Sequence, residues 1–250
     1  MTNTDSKPAL QHLAIIPDGN RRWAKSHFIE AQEKIYEQGS DKTFEIVQAA
    51  FEISKAGFLT FWVSSYANLA ERPKGFAEMM EQMYIAKFHE IARHPLVHDN
   101  KIHIEICGRW RELLGAEAAA AAQEAIDLTA NYHENRTLTI LVGYDGRHER
   151  GFAVQQMLQD CKDGKVETPA DWQTAEKLLR SYSWTKHLPD VDLIIRTGAW
   201  QDPHNSAGFL SLLTGESQYA FPEVLWPDFT PAQLKKIIDD FNERERRMGK

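Results

Sequence analysis

The chain has 250 residues, 42% of them hydrophobic, which is enough to bury a full core and is a size that α/β proteins commonly build as one domain. Its formal charge of −7 argues against non-specific nucleic-acid binding, so an anionic ligand would need a local basic pocket. Cys107 and Cys161 lie far apart without CxxC spacing, which excludes a disulfide framework or an obvious zinc site, and no run of about 18 apolar residues or signal-peptide core occurs, which predicts a cytoplasmic protein with no transmembrane segment.

The apolar run His12-Leu13-Ala14-Ile15-Ile16 stops at Pro17-Asp18-Gly19-Asn20, and Arg21-Arg22-Trp23-Ala24-Lys25 is helix-forming, so the segment reads as strand, tight loop, helix. A helix beginning near Asn20 or Arg21 points its free N–H groups at the loop, where they add to Arg21 and Arg22 in drawing a phosphate or diphosphate. Asp18 on the lip would only repel that guest, unless a divalent cation bridges carboxylate and phosphate oxygens. The loop therefore suggests a magnesium diphosphate. The residues alone allow equally a plain turn followed by a solvated helix face.

Ser26 to Gln38 reads as an irregular polar stretch, and Ser40-Asp41-Lys42 opens a helix with Phe44, Ile46, Val47, Ala50 and Phe51 on its core face, stopping at Gly57. Phe58 to Val63 has the continuous apolar character of a central parallel strand and ends in Ser64-Ser65-Tyr66-Ala67-Asn68. The pattern from Phe76 through Met79, Met80, Met83, Tyr84 and Phe88 to Ile91 is an amphipathic helix whose methionines and aromatics read first as core. Lys101 to Cys107 alternates with period two, as a strand nearer an edge does; His103 and Cys107 read as structural. Then follow a helix over Leu113–Tyr132, a strand over Thr137–Val142 ending near Asp145 and Arg147, helices to about Cys161 and over Asp171–Tyr182, and a strand over Val191–Ile195 stopping at Arg196. Thr230-Pro231-Ala232-Gln233 is a capping box with proline at the first helical position, opening a final helix to about Arg247. This order predicts one domain over 1–250, with residues 1–10 flexible and a mostly parallel sheet covered by helices on both faces. Ligands bind such sheets beyond the strands' carboxyl ends, which here carry Asp18, Ser64, Ser65, Arg109, Asp145 with Arg147, and Arg196.

Asp18-Gly19-Asn20-Arg21-Arg22-Trp23-Ala24 resembles the first signature of the cis-prenyltransferases, the undecaprenyl diphosphate synthase family, written Asp-Gly-Asn-Gly-Arg-Trp-Ala. Asp192 to Gly198, followed by Phe221 and Val224-Leu225-Trp226-Pro227-Asp228-Phe229, is similar to that family's C-terminal signature, and Arg244-Glu245-Arg246-Arg247-Met248-Gly249 is close to its ending. The resemblance implies a central parallel sheet of about six strands flanked by helices, a hydrophobic tunnel that the methionines and aromatics of 76–91 could line, a homodimer, and magnesium. It implies Asp18 as the magnesium and diphosphate residue, Gly19 and Asn20 as loop backbone and orienting amide, Arg22 as a diphosphate clamp, Trp23 as a wall near the substrate, and Arg72, Arg196 and Ser206 as further substrate contacts. Asp18, Asn20 and Arg22 would be the catalytic group.

The chain also departs from the family. Arg21 replaces a glycine and adds a cation. Tyr36 stands near the family's histidine, and no arginine lies between Trp23 and Arg72. After Arg196 the second arginine of Arg-Thr-x-Gly-Glu-x-Arg-x-Ser is absent, with Asp202 and His204 in its neighbourhood, so His204 joins the substrate-binding candidates. The family's magnesium-supporting glutamate falls on Gln218, with Glu216 two residues away. The second-strand loop has lost a carboxylate and a tryptophan, leaving Ser65 and Asn68 as contacts. Each lost arginine contact to a diphosphate is worth roughly 1.5–3 kcal/mol. The resulting expectation is a prenyltransferase that takes an allylic prenyl diphosphate and joins it to isopentenyl diphosphate or another prenyl acceptor, giving a short or irregular product. A non-catalytic partner subunit of a synthase, and a diphosphate lyase or cyclase using the donor site alone, are the alternatives.

Overall fold

The computed structural model describes residues 10–29, 32–71 and 74–244. In chain order it runs β1 (His12–Ile16), α1 (Asn20–Ser26), α2 (Gln32–Ser54), β2 (Phe58–Trp62), α3 (Tyr66–Ala70), α4 (Lys74–Arg93), α5 (Pro95–Asp99), β3 (Ile102–Cys107), α6 (Trp110–Leu113) and α7 (Ala116–Thr129). It continues with β4 (Arg136–Leu141), α8 (Gly146–Lys162), α9 (Trp172–Ser181), β5 (Leu193–Arg196), β6 (Gln218–Ala220) and α10 (Pro231–Glu243). The strands form one six-stranded sheet in the order β3-β4-β2-β1-β5-β6, and every pairing is parallel.

All five residues of β1 are buried, as a strand with paired neighbours and helices over both faces requires. One face packs Leu13, Ile15, Leu59 and Phe61 against α2, α4, α7 and α10 with Trp226; the other packs Ala14, Ile16 and Trp62 against Tyr144, Phe209 and Leu210. Each leucine, isoleucine or phenylalanine among them, fully buried, contributes about 1.5–3 kcal/mol. The alanine run has a packing reason beyond helix propensity: Ala118, Ala121, Ala122 and Ala125 are buried in the core that α7 shares with α4. Among the described residues no helix is long and apolar enough to cross a membrane.

Three elements differ from the sequence expectation. The helix expected from Ser40 begins at Gln32, so the polar stretch before it is its first two turns; Gln, Glu and Lys are good helix formers and needed only an anchor. That anchor is Gly39, inside the helix: its carbonyl accepts a hydrogen bond from Trp226 Nε1 at 2.8 Å, and a Cβ there would sit 2.7 Å from Asn20 Oδ1. Strand β3 lies at the sheet's edge but is buried at five of its six positions, because its flanking helices cover both faces. The three-residue β6 carries Gln218 and has no strand signal of its own. The capping box is present, with Gln233 N donating to Thr230 Oγ1 at 3.3 Å and Thr230 N donating to Gln233 Oε1 at 2.9 Å.

Candidate active site

Register decides what meets at the sheet's carboxyl edge. Ile16 of β1 lies opposite Arg196 of β5, so the loop after β1 falls against the loop after β5 although 178 residues separate Asp18 from Arg196. Asp18 N donates to Thr197 Oγ1 at 3.0 Å, Thr197 Oγ1 donates back to Asp18 O at 2.8 Å, and Trp226 N donates to the same carbonyl at 3.1 Å. Gly19 takes φ +110°, and a Cβ on it would come within 2.7 Å of the Leu225 side chain, so a larger residue fails there on both counts.

The Asp18 carboxylate, 38% exposed, accepts from Arg196 Nη2 at 3.0 Å and from Arg22 Nη2 at 3.4 Å. Arg196 is buried; its Nη1 donates to His204 O at 2.9 Å, and its Nε, though buried, has no hydrogen-bond partner among the described residues. Asn20 donates weakly to Pro17 O at 3.4 Å while its buried Oδ1 likewise lacks a partner. Ser65 caps α3, accepting from Asn68 N at 3.2 Å and donating to Asn68 Oδ1.

These groups border a cavity of about 640 Å³ lined by Asp18, Gly19, Asn20, Arg21, Arg22, Ser65, Asn68, Arg196 and Ser206, with Lys25 and Trp62 beside them. A second cavity, about 130 Å³ and apolar, lies between α2, α4 and the sheet; Phe44, Val47, Phe61, Met80, Met83 and Phe88 are among its walls. The two share Pro17, Asn20 and Val63 in their walls, so the polar cavity and the apolar one adjoin at these residues. Met80 and Phe88 are buried core, as the pattern of that helix suggests, and they also wall this cavity.

Several candidates stand elsewhere. Trp23 turns away to donate from Nε1 to Asp228 Oδ1 at 2.7 Å and to stack on His27 at 4.1 Å, fastening α1 to the C-terminal segment. His204 supplies Arg196 with its backbone carbonyl, while its ring lies 2.8 Å from Asp202 O. Arg109 and Arg147 do not line the cavity, because Glu112 and Asp145 hold them at 2.6 Å each. Gln218 accepts from Arg244 Nη1 at 3.2 Å, and neither it nor the exposed Glu216 borders the cavity. Arg72 and residues 245–250, with Arg246 and Arg247, lie outside the described residues, as does the side chain of Tyr36. Away from the site, His103 bonds Thr129 O and Glu105, whose carboxylate raises the imidazole above its usual range, and burial pushes the Cys107 thiol up. Lys25 and Trp62 were not among the sequence candidates. For Lys25 a signal existed: it falls four residues after Arg21, on the same helix face.

For a metal, no cluster of three or more His, Cys, Asp or Glu occurs among the described residues. A single accessible carboxylate beside four cationic side chains fits magnesium that arrives with a diphosphate, since that ion commonly uses one or two carboxylates plus substrate phosphates. It does not fit an ion caged by protein alone.

The carboxyl edge of this parallel α/β sheet thus carries a basic cavity next to an apolar one. The family model described as "Putative undecaprenyl diphosphate synthase" matches residues 16–249. The tritrans,polycis-undecaprenyl-diphosphate synthase (geranylgeranyl-diphosphate specific) of Pyrococcus abyssi is 34% identical over 242 residues, covering 96% of this chain and 87% of that protein. An isoprenyl transferase of Streptococcus pyogenes is 34% identical over 244 residues, with 96% and 93% covered. In structure, lavandulyl diphosphate synthase from Lavandula x intermedia superposes with a TM-score of 0.84 at 23% identity, over 96% of this chain and 98% of that one. The chain belongs to the undecaprenyl diphosphate synthase, or cis-prenyltransferase, family of prenyl-transferring enzymes.

Proposed function

We propose that this enzyme transfers the allylic group of a short prenyl diphosphate to isopentenyl diphosphate or a second prenyl diphosphate, as a cytoplasmic homodimer of single-domain chains using magnesium. The observation that carries the reading is that the Asp18–Arg22–Arg196 cavity adjoins the apolar one, with Pro17, Asn20 and Val63 in the walls of both. The diphosphate lies against Arg22 and Arg196, and the hydrocarbon points past Val63 toward Phe61 and Met83. The allylic C–O bond breaks, the acceptor's double bond forms the new C–C bond to C1, inorganic diphosphate leaves, and the acceptor loses a proton. Arg22 and Arg196, pre-set by Asp18, face the charge that grows on the departing diphosphate, which is the arrangement that lowers such a barrier most. Arg196 Nε, buried without a hydrogen-bond partner among the described residues, is a donor left for the diphosphate. Bound magnesium would sit at Asp18 and supply further neutralisation of diphosphate charge.

The apolar cavity bears on product length. At about 130 Å³ it is well below the ~300–1,000 Å³ of ordinary ligand cavities, which favours a short product over a long polyprenyl chain. The solved lavandulyl diphosphate synthase is in complex with dimethylallyl diphosphate, a five-carbon ligand of the class proposed. Mass spectrometry of reactions with dimethylallyl, geranyl or farnesyl diphosphate, each with and without isopentenyl diphosphate, tests the reading. Products heavier by one or a few isoprene units are expected. Consumption of no substrate under any condition would overturn the proposal in favour of the partner-subunit alternative.

A further inference from the structure

The larger cavity holds two cations that its own architecture leaves unused. Arg21 and Lys25 both line it, both are exposed, and they lie four residues apart on α1, so their side chains are neighbours on one helix face. Like charges at that spacing destabilise a helix, and α1 has only seven residues. Among the described residues neither side chain has an acidic partner or a hydrogen bond. Among the described residues, four other arginines near the sheet's carboxyl edge do have acidic partners: Arg22 and Arg196 share Asp18, Arg109 pairs with Glu112 and Arg147 with Asp145. Two cations held together against their repulsion, on a cavity wall, form a positive pole distinct from the one that Asp18 organises.

We infer that Lys25, with Arg21, is a second phosphate-gripping point, so that the cavity counts the phosphate groups of its ligand: a diphosphate reaches both poles, a monophosphate only the one at Arg22 and Arg196. The inference rests on the reading above that the natural ligand is a diphosphate ester. Lysine suits the outer pole, since its ammonium is a compact charge on a flexible stem that can follow a phosphate without a fixed fork geometry. It also gives the chain a cationic contact where the sequence lacks an arginine between Trp23 and Arg72.

Calorimetric titration of the intact protein with inorganic diphosphate and, separately, orthophosphate, each with magnesium in excess, tests it without turnover. Lys25→Gln is expected to weaken diphosphate binding by about 10-fold or more and orthophosphate binding by less than about 3-fold, the usual scale of a charge-assisted contact. Arg21→Gln should show the same asymmetry, and Lys25→Arg should stay within about 3-fold of the parent, since charge rather than shape is required there. Equal loss for both anions, no loss for diphosphate, or a parent protein that binds no diphosphate overturns the inference. If the asymmetry is found but no prenyl diphosphate is turned over, the second grip stands and the transferase reading falls.

Discussion

Strand β1 treats polar groups in opposite ways at its two ends. At its start, the buried His12 ring lies 2.9 Å from Pro189 O through Nδ1 and 2.8 Å from Thr60 Oγ1 through Nε2, while Asp192 Oδ2 accepts from Gln11 N at 2.7 Å and His12 N at 3.0 Å. Every partner comes from inside the protein. Beyond its end, Asn20 Oδ1, Arg196 Nε, Arg21 and Lys25 have none among the described residues, within a cavity of about 640 Å³. Arg21 and Lys25 are exposed, but buried polar atoms are normally satisfied, so the unsatisfied Asn20 Oδ1 and Arg196 Nε mark where the molecule expects something from outside. One end is finished by folding and the other by ligand.

That contrast predicts separable effects. The largest belongs to the open end: Asp18→Ala should lower kcat/KM by about 10³-fold, the scale seen when a preorganised charge-stabilising group is removed, with little change in melting temperature because the carboxylate is part-exposed. Steady-state kinetics beside a thermal melt checks both halves, and a melting loss as large as the kinetic one would erase the distinction. Next comes acid stability at the closed end. Burial lowers the pKa of His12 from 6.5 to about 4, against the opposing pull of the Pro189 carbonyl. Between those values the unfolded chain binds the proton and the folded one does not, so this contribution is intact above about pH 6.5 and lost as pH falls to about 4, by about 3 kcal/mol. Denaturant unfolding across that range should show the slope, and His12→Gln should flatten it. The smallest is Thr60→Val, which leaves a buried ring nitrogen of His12 without its partner and should destabilise by about 1–3 kcal/mol with activity retained, as paired unfolding and turnover measurements would show.

The sequence made the sheet legible because its strands are buried on both faces and end at sharp turn signals. Ile16-Pro17-Asp18 and Ile195-Arg196-Thr197 show this most plainly, and they also build the site. Less legible was anything set by contacts across the chain. Gly39 reads locally as a helix breaker, yet it is a helix interior whose missing side chain makes room for Asn20. Arg109 and Arg147 end strands as a ligand-binding arginine would, and only the fold shows that Glu112 and Asp145 already hold them. Lys25 shows the converse, because a lysine on a short helix reads as solvated until the cavity beside it is seen.

The pairing of Asp18 with Arg196 has a consequence for how the protein is made. The loop that carries Asp18 leaves the ribosome before Thr197, Arg196 and Trp226, which hold it in place. At about 5–20 residues per second, the 178 residues between the two halves take roughly 10–35 seconds to synthesise. For that interval the nascent chain displays Arg21, Arg22 and Lys25 with no site to belong to, and a message cut short before residue 196 yields a polypeptide with one half of the anion grip and nothing to close it.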